Sequence, residues 1–417
     1  MARVLAAFSL TLSLAVFTSG GSRAPLAQAA DWPQFLGPHR DGTTTETVAP
    51  WKGELKPLWK QPLGEAHSSP VVAEGVVYAL YQPKGKNADA LAAFDAQTGE
   101  RKWETSYDRD EFKPLFGNGP RSTPVVSGRK VFTLGGTGIL ACWDAKTGML
   151  DWKVDTLKEF RAPNLFFGIS TSPVMVNENQ VGVMVGGKGA GIVVFDARTG
   201  KPVWQATDDP ASYASPVVVN QQLITLTGAN LLGLSLSGES LWSFPFKDKL
   251  NESSTTPVVV GDLVIGSSVT AGTVCLKVSK KDGKFTPEKV WENKKLTCYF
   301  STPVVVGDHL YMVTGAATLT NPSITLRCVE LKTGKVAWEK ANVGRYHAAI
   351  VRCGLEKSPR LLMLDDNGVL TLFEPDPSSY KELARSRVCG QTWAHPAVVD
   401  GNVYLRDEKE LICIPLK

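Results

Sequence analysis

What the chain lacks narrows its chemistry first. It has no Cys-x-x-Cys and no two adjacent cysteines, and its five histidines and seven cysteines never gather at metal-ligand spacing. The sequence signatures of zinc ribbons and dithiol redox centres are therefore missing. No Gly-x-Ser-x-Gly, Walker, His-Glu-x-x-His or calcium-loop motif occurs either, which removes the common hydrolase, nucleotide and metalloprotease signals. Charge of one sign is in short supply: 45 Lys and Arg stand against 41 Asp and Glu. Such a balance gives no support for nucleic acid or an anionic membrane as partner.

What is present is repetition. Ser122 to Trp152 holds three short apolar runs, Pro124–Val126, Lys130–Leu134 and Ile139–Trp143, then Asp144-Ala-Lys-Thr-Gly148 and Trp152. Runs of this length broken by Gly and charged residues form antiparallel hairpins. Pro124 fits the first position of a strand, which need not donate to a ladder. Gly148 supplies a positive φ for a tight turn, and Asp144 can accept from the turn amides. The unit is a four-stranded meander.

It recurs along the chain. Ser-Pro or Thr-Pro openings fall at Pro70, Pro124, Pro173, Pro216, Pro257 and Pro303, with Ala349 as a worn copy and His395-Pro396 as the last. The steps between them are 54, 49, 43, 41, 46, 46 and 47 residues. Each unit closes on a tryptophan: Trp103, Trp152, Trp204, Trp242, Trp291 and Trp338. A Gly precedes it by four residues in every unit except the one with Gly283 and Trp291, which carries an insertion. A period in the forties with four strands per unit defines a β-propeller. Leu55–Lys60 reads as a terminal Trp strand with no blade before it, and the segments from His395, Asn402 and Leu411 read as three strands with no fourth. Pairing Trp59's strand with Leu411–Leu416 completes an eighth blade and covers two open edges. The expected fold is all-β, an eight-bladed propeller of four-stranded antiparallel blades closed by its N-terminal strand. Burying each repeated indole removes about 150–250 Å² from water, worth roughly 4–6 kcal/mol as an upper estimate. These residues are therefore read as glue between outer strands.

The expected domain plan is a signal peptide over 1–30, an extended lead-in over 31–54 and one propeller domain over 55–417. Arg3, the apolar segment Val4–Phe17 and Ala27-Gln-Ala29 make the export signal. Its removal lowers the formal charge from +4 to +2. The first cysteine is Cys142, so no lipid anchor is expected. No membrane span is expected either, since Val4–Phe17 is too short for one. Cys142, Cys275, Cys328 and Cys413 sit in apolar runs as buried thiols, while Cys298, Cys353 and Cys389 lie in or near loops, where one pair can bridge.

Residues just before each inner strand line one mouth of the channel. Three positions before each Pro, or its stand-in, come His67, Arg121, Ser170, Tyr213, Ser254, Phe300, Tyr346 and Trp393, and His347 and His395 lie beside them. His67, Arg121, Tyr213, Phe300, Tyr346, His347, Trp393 and His395 are the candidate ligand-binding set. Arg121, Glu252, His347 and His395 are the available acid–base groups, but their spacing gives no geometric test. Two long loops, Tyr107–Arg121 and Asp155–Ser170, carry Phe112, Phe116, Phe166 and Phe167 as candidate partner contacts. Loops on one face of a repeat array carry binding; the competing reading is that the same side chains only plug the channel.

The pattern S-[ST]-P-V-V…G…V-[YF]…L-x-[AC]-[FW]-D-A-x-T-G-x-x-x-W, as in Ser122–Trp152 and Thr171–Trp204, resembles the pyrroloquinoline quinone (PQQ)-like β-propeller repeat over about residues 55 to 416. One branch of that family, the quinoprotein alcohol dehydrogenases, implies PQQ and calcium in the funnel, with a vicinal Cys pair that this chain does not have. The other, the exported BamB-like propellers of the outer-membrane barrel-assembly machinery, implies a non-catalytic scaffold. Asp31-Trp-Pro-Gln-Phe-Leu-Gly-Pro resembles a lead-in found among exported members of the family.

The resulting expectation is an exported monomer, periplasmic or extracellular, without cofactor or metal. It presents its loop face to an envelope protein or an extracellular polymer, with no nucleic acid bound. A PQQ- and calcium-dependent dehydrogenase is the alternative.

Overall fold

The computed structural model describes residues 31–316, 318 and 320–416. The expected signal peptide lies outside the described residues. The chain forms eight four-stranded antiparallel sheets arranged as a ring, as the repeat requires. Blade 1 is Val71–Ala73, Val76–Tyr81, Ala88–Asp95 and Arg101–Asp108. Blades 2 to 6 begin at Val125, Val174, Val217, Val258 and Val304. Blade 7 begins at Ala348 and blade 8 at Ala397. The fourth strand of blade 8 is Trp59–Pro62, paired antiparallel with Glu410–Pro415 through Trp59 opposite Cys413. The ring is thus closed by the N-terminal strand as expected, with that strand at Trp59–Pro62 instead of Leu55–Lys60 and its partner at Glu410–Pro415 instead of Leu411–Leu416.

Each part of the repeated motif answers to a contact between neighbours. The Ser or Thr before the Pro accepts a backbone N–H from the same position of the preceding blade. His395 N–H donates to Ser69 Oγ at 2.8 Å, Ser69 N–H to Thr123 Oγ1 at 3.1 Å, Thr123 N–H to Ser172 Oγ at 3.0 Å and Ser172 N–H to Ser215 Oγ at 2.9 Å. Thr256 N–H donates to Thr302 Oγ1 at 3.1 Å. This girdle replaces the ladder bonds that inner strands lack at their first residue. Toward the rim, Asp95 Oδ1 accepts from the amides of Gln97 and Thr98, which shapes the turn that Gly99 ends with φ +72°. A Cβ on Gly99 would lie 2.6 Å from Trp59, and one on Gly148 2.6 Å from Trp103. Glycine is required there because the previous blade's indole lies flat on it. The indole N–H then donates to a carbonyl of the same turn: Trp59 to Ala96 at 3.0 Å, Trp152 to Ala197 at 3.0 Å, Trp291 to Leu331 at 2.8 Å. Register shifts between third and fourth strands in blades 1 to 7 bend the outer strand around this contact.

Blade 7 lacks Pro at Ala349, and its inner strand, Ala348–Cys353, runs six residues where most others run three. It takes a fifth, parallel strand, Thr43–Thr44. The segment leading to that strand crosses the channel and satisfies inner edges that no blade pairs. Trp32 exchanges both backbone bonds with Val72, at 2.8 and 2.9 Å, and the Pro33 carbonyl accepts from Val126 N–H at 2.8 Å. The buried Arg40 guanidinium donates to the carbonyls of Pro173 and Ser172 at 2.9 and 3.3 Å. All seven cysteines are buried and free, so none of Cys298, Cys353 and Cys389 is bridged, and Cys353 ends a strand instead of lying in a loop.

Candidate functional site

The inner-strand starts converge, and a cavity of about 120 Å³ opens at this mouth. His67, Arg121, Tyr213, Phe300, Trp393 and His395 all line it. Tyr346 stands outside the lining but meets Trp393 edge-on at 6.1 Å. His347 is buried beneath, its ring 5.1 Å from that of His395. Trp393 is the hub: His67 stacks on it at 5.0 Å, Phe300 at 5.5 Å, and Phe116 tilts against it at 5.4 Å.

Of the loop phenylalanines, Phe116 and Phe167 join the cavity wall and contact each other at 6.2 Å. Phe166 is 70% exposed and packs edge-on to Phe167. Phe112 stays half-buried away from the mouth, tucked against Gly168. The loop Tyr107–Arg121 is fastened at both ends by guanidinium groups. Arg109 pairs with the buried Asp89 at 2.9 Å and donates to the Asn118 carbonyl at 3.0 Å. Arg121 donates to the carbonyls of Leu115, Phe116, Gly117 and Gly119 at 3.2–3.3 Å. The second loop opens with a one-turn helix, Thr156–Glu159, capped by Asp155 Oδ1.

The titratable groups are held uncharged or already committed. Burial pushes the pKa of His347 down to about 4 and that of His395 well below the usual imidazole range. His67 is lowered too, by burial and then by Arg121, and its Nε2 lies 2.8 Å from the Phe116 carbonyl. Burial raises the Glu252 carboxyl, against the opposing hydrogen bond from the Tyr299 hydroxyl; the group is not part of the cavity wall. Among the described residues no three His, Cys, Asp or Glu side chains approach as a metal-binding group. Of the four acid–base candidates, Arg121 and His395 line the cavity, His347 lies against His395, and Glu252 stands outside the wall.

Sequence reasoning missed Phe35. It reaches the cavity from the lead-in and meets His395 edge-on at 5.0 Å, forming the floor. Its segment carries no period that would have placed it. Beside the cavity an open cleft of about 930 Å³ lies between blades 8 and 1, sharing His67, Phe116 and Trp393 with it.

A ring of eight such blades, with this repeat and an aromatic mouth, defines a PQQ-type propeller. The family model described as "Outer membrane protein assembly factor BamB" matches residues 44–122 and 109–340, more than half of the chain, and the chain belongs to that family. Two curated relatives are outer membrane protein assembly factors BamB. The one from Burkholderia pseudomallei is 24% identical over 221 residues, 49% of this chain and 52% of that protein. The one from Yersinia pestis is 22% identical over 278 residues, 62% of this chain and 67% of that protein. The chain thus spans about half the length of the first relative and two thirds of the second. Among solved structures, a europium-containing methanol dehydrogenase superposes with a TM-score of 0.63 at 12% identity, over 92% of this chain and 89% of that one. At that identity the likeness concerns the fold.

Proposed function

We propose that this chain is an exported, non-catalytic scaffold that presents the mouth face of its ring to a polypeptide partner in the cell envelope. One observation carries the reading: Leu115, Phe116 and Phe166, at 53%, 40% and 70% exposure, stand on loops that are fastened from below. Apolar side chains held out rigidly from a braced loop lose little entropy on contact, which is what a docking surface needs. The BamB relatives, assembly factors by name, support the same direction. The reading takes the protein as a monomer whose residues 1–30 are removed on export, with residues 31–54 leading into the propeller, and it needs no nucleic acid, lipid anchor or membrane span. Among the described residues no helix is long and apolar enough to cross a membrane.

The mouth cavity does not suit the dehydrogenase alternative. PQQ with calcium needs room for a fused tricyclic tricarboxylate and a set of oxygen ligands around the ion. The cavity of about 120 Å³ is below the usual range of about 300–1,000 Å³ for small-molecule sites. Its one guanidinium, Arg121, is taken up by loop carbonyls. The residues present do not fit the pair.

A photo-crosslinking residue at Phe166 should capture a discrete envelope protein, while the same residue at Met149, 66% exposed on a rim turn, should not. Equal labelling from the two positions would count against the scaffold. Retention of PQQ absorbance after calcium loading and desalting would favour the enzyme.

A further inference from the structure

The mouth cavity is walled by rings and offers little to a polar guest. Phe35 is its floor, Phe116, Phe167, Tyr213 and Phe300 stand around it, and Trp393 is its hub. The hydroxyls between those rings are already bonded inside the fold. Ser69 Oγ accepts from His395 N–H, Thr123 Oγ1 accepts from Ser69 N–H, and Ser170 and Ser254 donate to the carbonyls of Gly168 and Tyr299. His67 Nε2 lies against the Phe116 carbonyl, the Tyr213 hydroxyl accepts from Phe167 N–H, and Arg121 is held by its loop. Trp393 Nε1 and His395 Nδ1 are buried out of reach of a water molecule. A polar group entering here would lose its water without gaining a partner, whereas an apolar one gains by leaving water.

Size and surroundings narrow the guest further. A dry apolar cavity of about 150 Å³ holds one benzene, so about 120 Å³ takes a single side chain up to the size of a phenyl ring and not an indole. The rings continue outward as a collar: Phe167 meets Phe116 at 6.2 Å and Phe166 at 4.8 Å, and the latter two are exposed. An apolar pocket inside an apolar collar is how an interface anchors one side chain of its partner. The cleft of about 930 Å³ continues from His67, Phe116 and Trp393 and gives the flanks of that side chain a path. Four lysines and four carboxylates line the cleft, but they are not equally available. Glu65 and Asp407 accept from the backbone N–H groups of Asn118 and Gly390, and Glu111 pairs with Lys113. Among the described residues Lys84, Lys86 and Lys409 have no ion-pair partner, against Glu408 alone of the cleft's uncommitted acids. Acidic flanks suit such a path.

We propose that the mouth cavity and this cleft form one site for an extended polypeptide. A single leucine- or phenylalanine-sized side chain enters the cavity, and carboxylates beside it meet Lys84, Lys86 and Lys409. That the guest is a polypeptide rests on the scaffold reading; the apolar character of the cavity does not.

The test titrates the full-length folded protein, by ligand-observed NMR, with a short Gly/Ser peptide that carries one central Leu between Asp residues. Copies with Ala or Trp at the centre should bind at least about tenfold more weakly, the first for lost burial and the second for size. A copy with Lys in place of Asp should bind about fivefold more weakly. Phe116→Asn removes a wall ring at a φ of +65°, which Asn accepts readily; with an unchanged melting temperature it should erase most of the preference for Leu over Ala. Lys84→Glu combined with Lys86→Glu should erase the preference for Asp flanks and leave that for Leu. Equal binding of the Leu and Ala peptides, or a Leu preference undiminished in Phe116→Asn, overturns the cavity site. So does a crystal of the peptide complex in which the Leu lies outside the cavity, whatever the variant's stability. An Asp preference that survives the lysine changes overturns the cleft as the path. Free N-acetyl-leucinamide binding as tightly as the peptide overturns the polypeptide guest and leaves a site for a small apolar molecule. A Leu preference without crosslinking at Phe166 removes the scaffold reading and leaves the cavity site standing; crosslinking with no Leu preference does the reverse.

Discussion

The contacts between blades 2 and 3 and between blades 4 and 5 come from the same repeated motif, yet they are held by different forces. At the first, Trp152 lies on Gly200 and donates to the Ala197 carbonyl, and Thr123 N–H is bound by Ser172 Oγ. At the second, both devices are missing. Trp242 turns to Gln222 Oε1 of its own blade at 2.7 Å, and the hydroxyl of Thr256 is buried without a partner. The third and fourth strands of blade 5, Gly272–Lys281 and Lys284–Asn293, are ten residues each, which carries the Gly283 turn away from the indole. A Cβ on Gly283 would meet nothing within 4 Å. An apolar seam replaces the clasp, in which Phe244, Phe246, Val278 and Phe285 share one cluster with Trp242. Directional bonds hold most of the ring, whereas burial of area holds this joint. The repeat specifies a blade, and the joint between two blades can be remade.

Paired substitutions can break that comparison. Trp291→Ala, at a clasped joint, should cost about 3–5 kcal/mol in denaturant unfolding, the range for a large buried aromatic. Gly334→Ala should cost about 2–4 kcal/mol, because its Cβ would lie 2.5 Å from Trp291 and its φ is +69°. Gly283→Ala shares the positive φ without the collision and should cost only about 1 kcal/mol. If the two glycine changes cost the same, backbone strain is the whole effect and the clasp contributes nothing.

Protonation probes the axis instead of the joints. His347 is neutral in the fold with its pKa near 4, while the unfolded chain takes up its proton near 6.5. The unfolded state therefore holds more protons in that window. The His347 contribution to stability should be nearly complete above about pH 6.5 and fall by about 3 kcal/mol toward pH 4. His347→Gln should make the profile shallower in a series of unfolding curves, leaving the share that His67 and His395 contribute in the same direction.

The girdle offers a smaller contrast. Thr302→Val strands the Thr256 amide and should cost about 1–2 kcal/mol, whereas Thr256→Val removes a hydroxyl with no partner and should be close to neutral. The smallest effect is kinetic. The Ser215 amide, next to the break, should exchange with deuterium faster than that of Ser172, which Ser215 Oγ protects. Equal rates would mean the girdle is continuous in solution.

These contrasts also explain what the sequence could reveal. Ser/Thr-Pro, Thr-Gly and Trp were legible because the same demand recurs at joint after joint and repetition exposes it. The insertion before Trp291 was visible, but its effect falls on Trp242, in the neighbouring blade, where nothing in the local sequence is unusual. The mouth residues followed from the phase of the repeat: six of the eight candidates line the cavity, while Tyr346 and His347 sit against it. Phe35 and Arg40 occur once each, in a segment without period, so no neighbouring copy announces that they enter the channel. Whether the aromatic mouth binds or merely fills depends on the room its rings leave between them, and that is decided by side-chain orientation rather than residue type.

The strand Trp59–Pro62 has its partner about 350 residues further on. No ribosome can deliver the two together. The first made piece of the ring must wait, unpaired, for the last made piece, and until Glu410–Pro415 arrives both ends show a raw edge to any passing strand. Loss of a handful of C-terminal residues would therefore cost the molecule its circle, not just its tail.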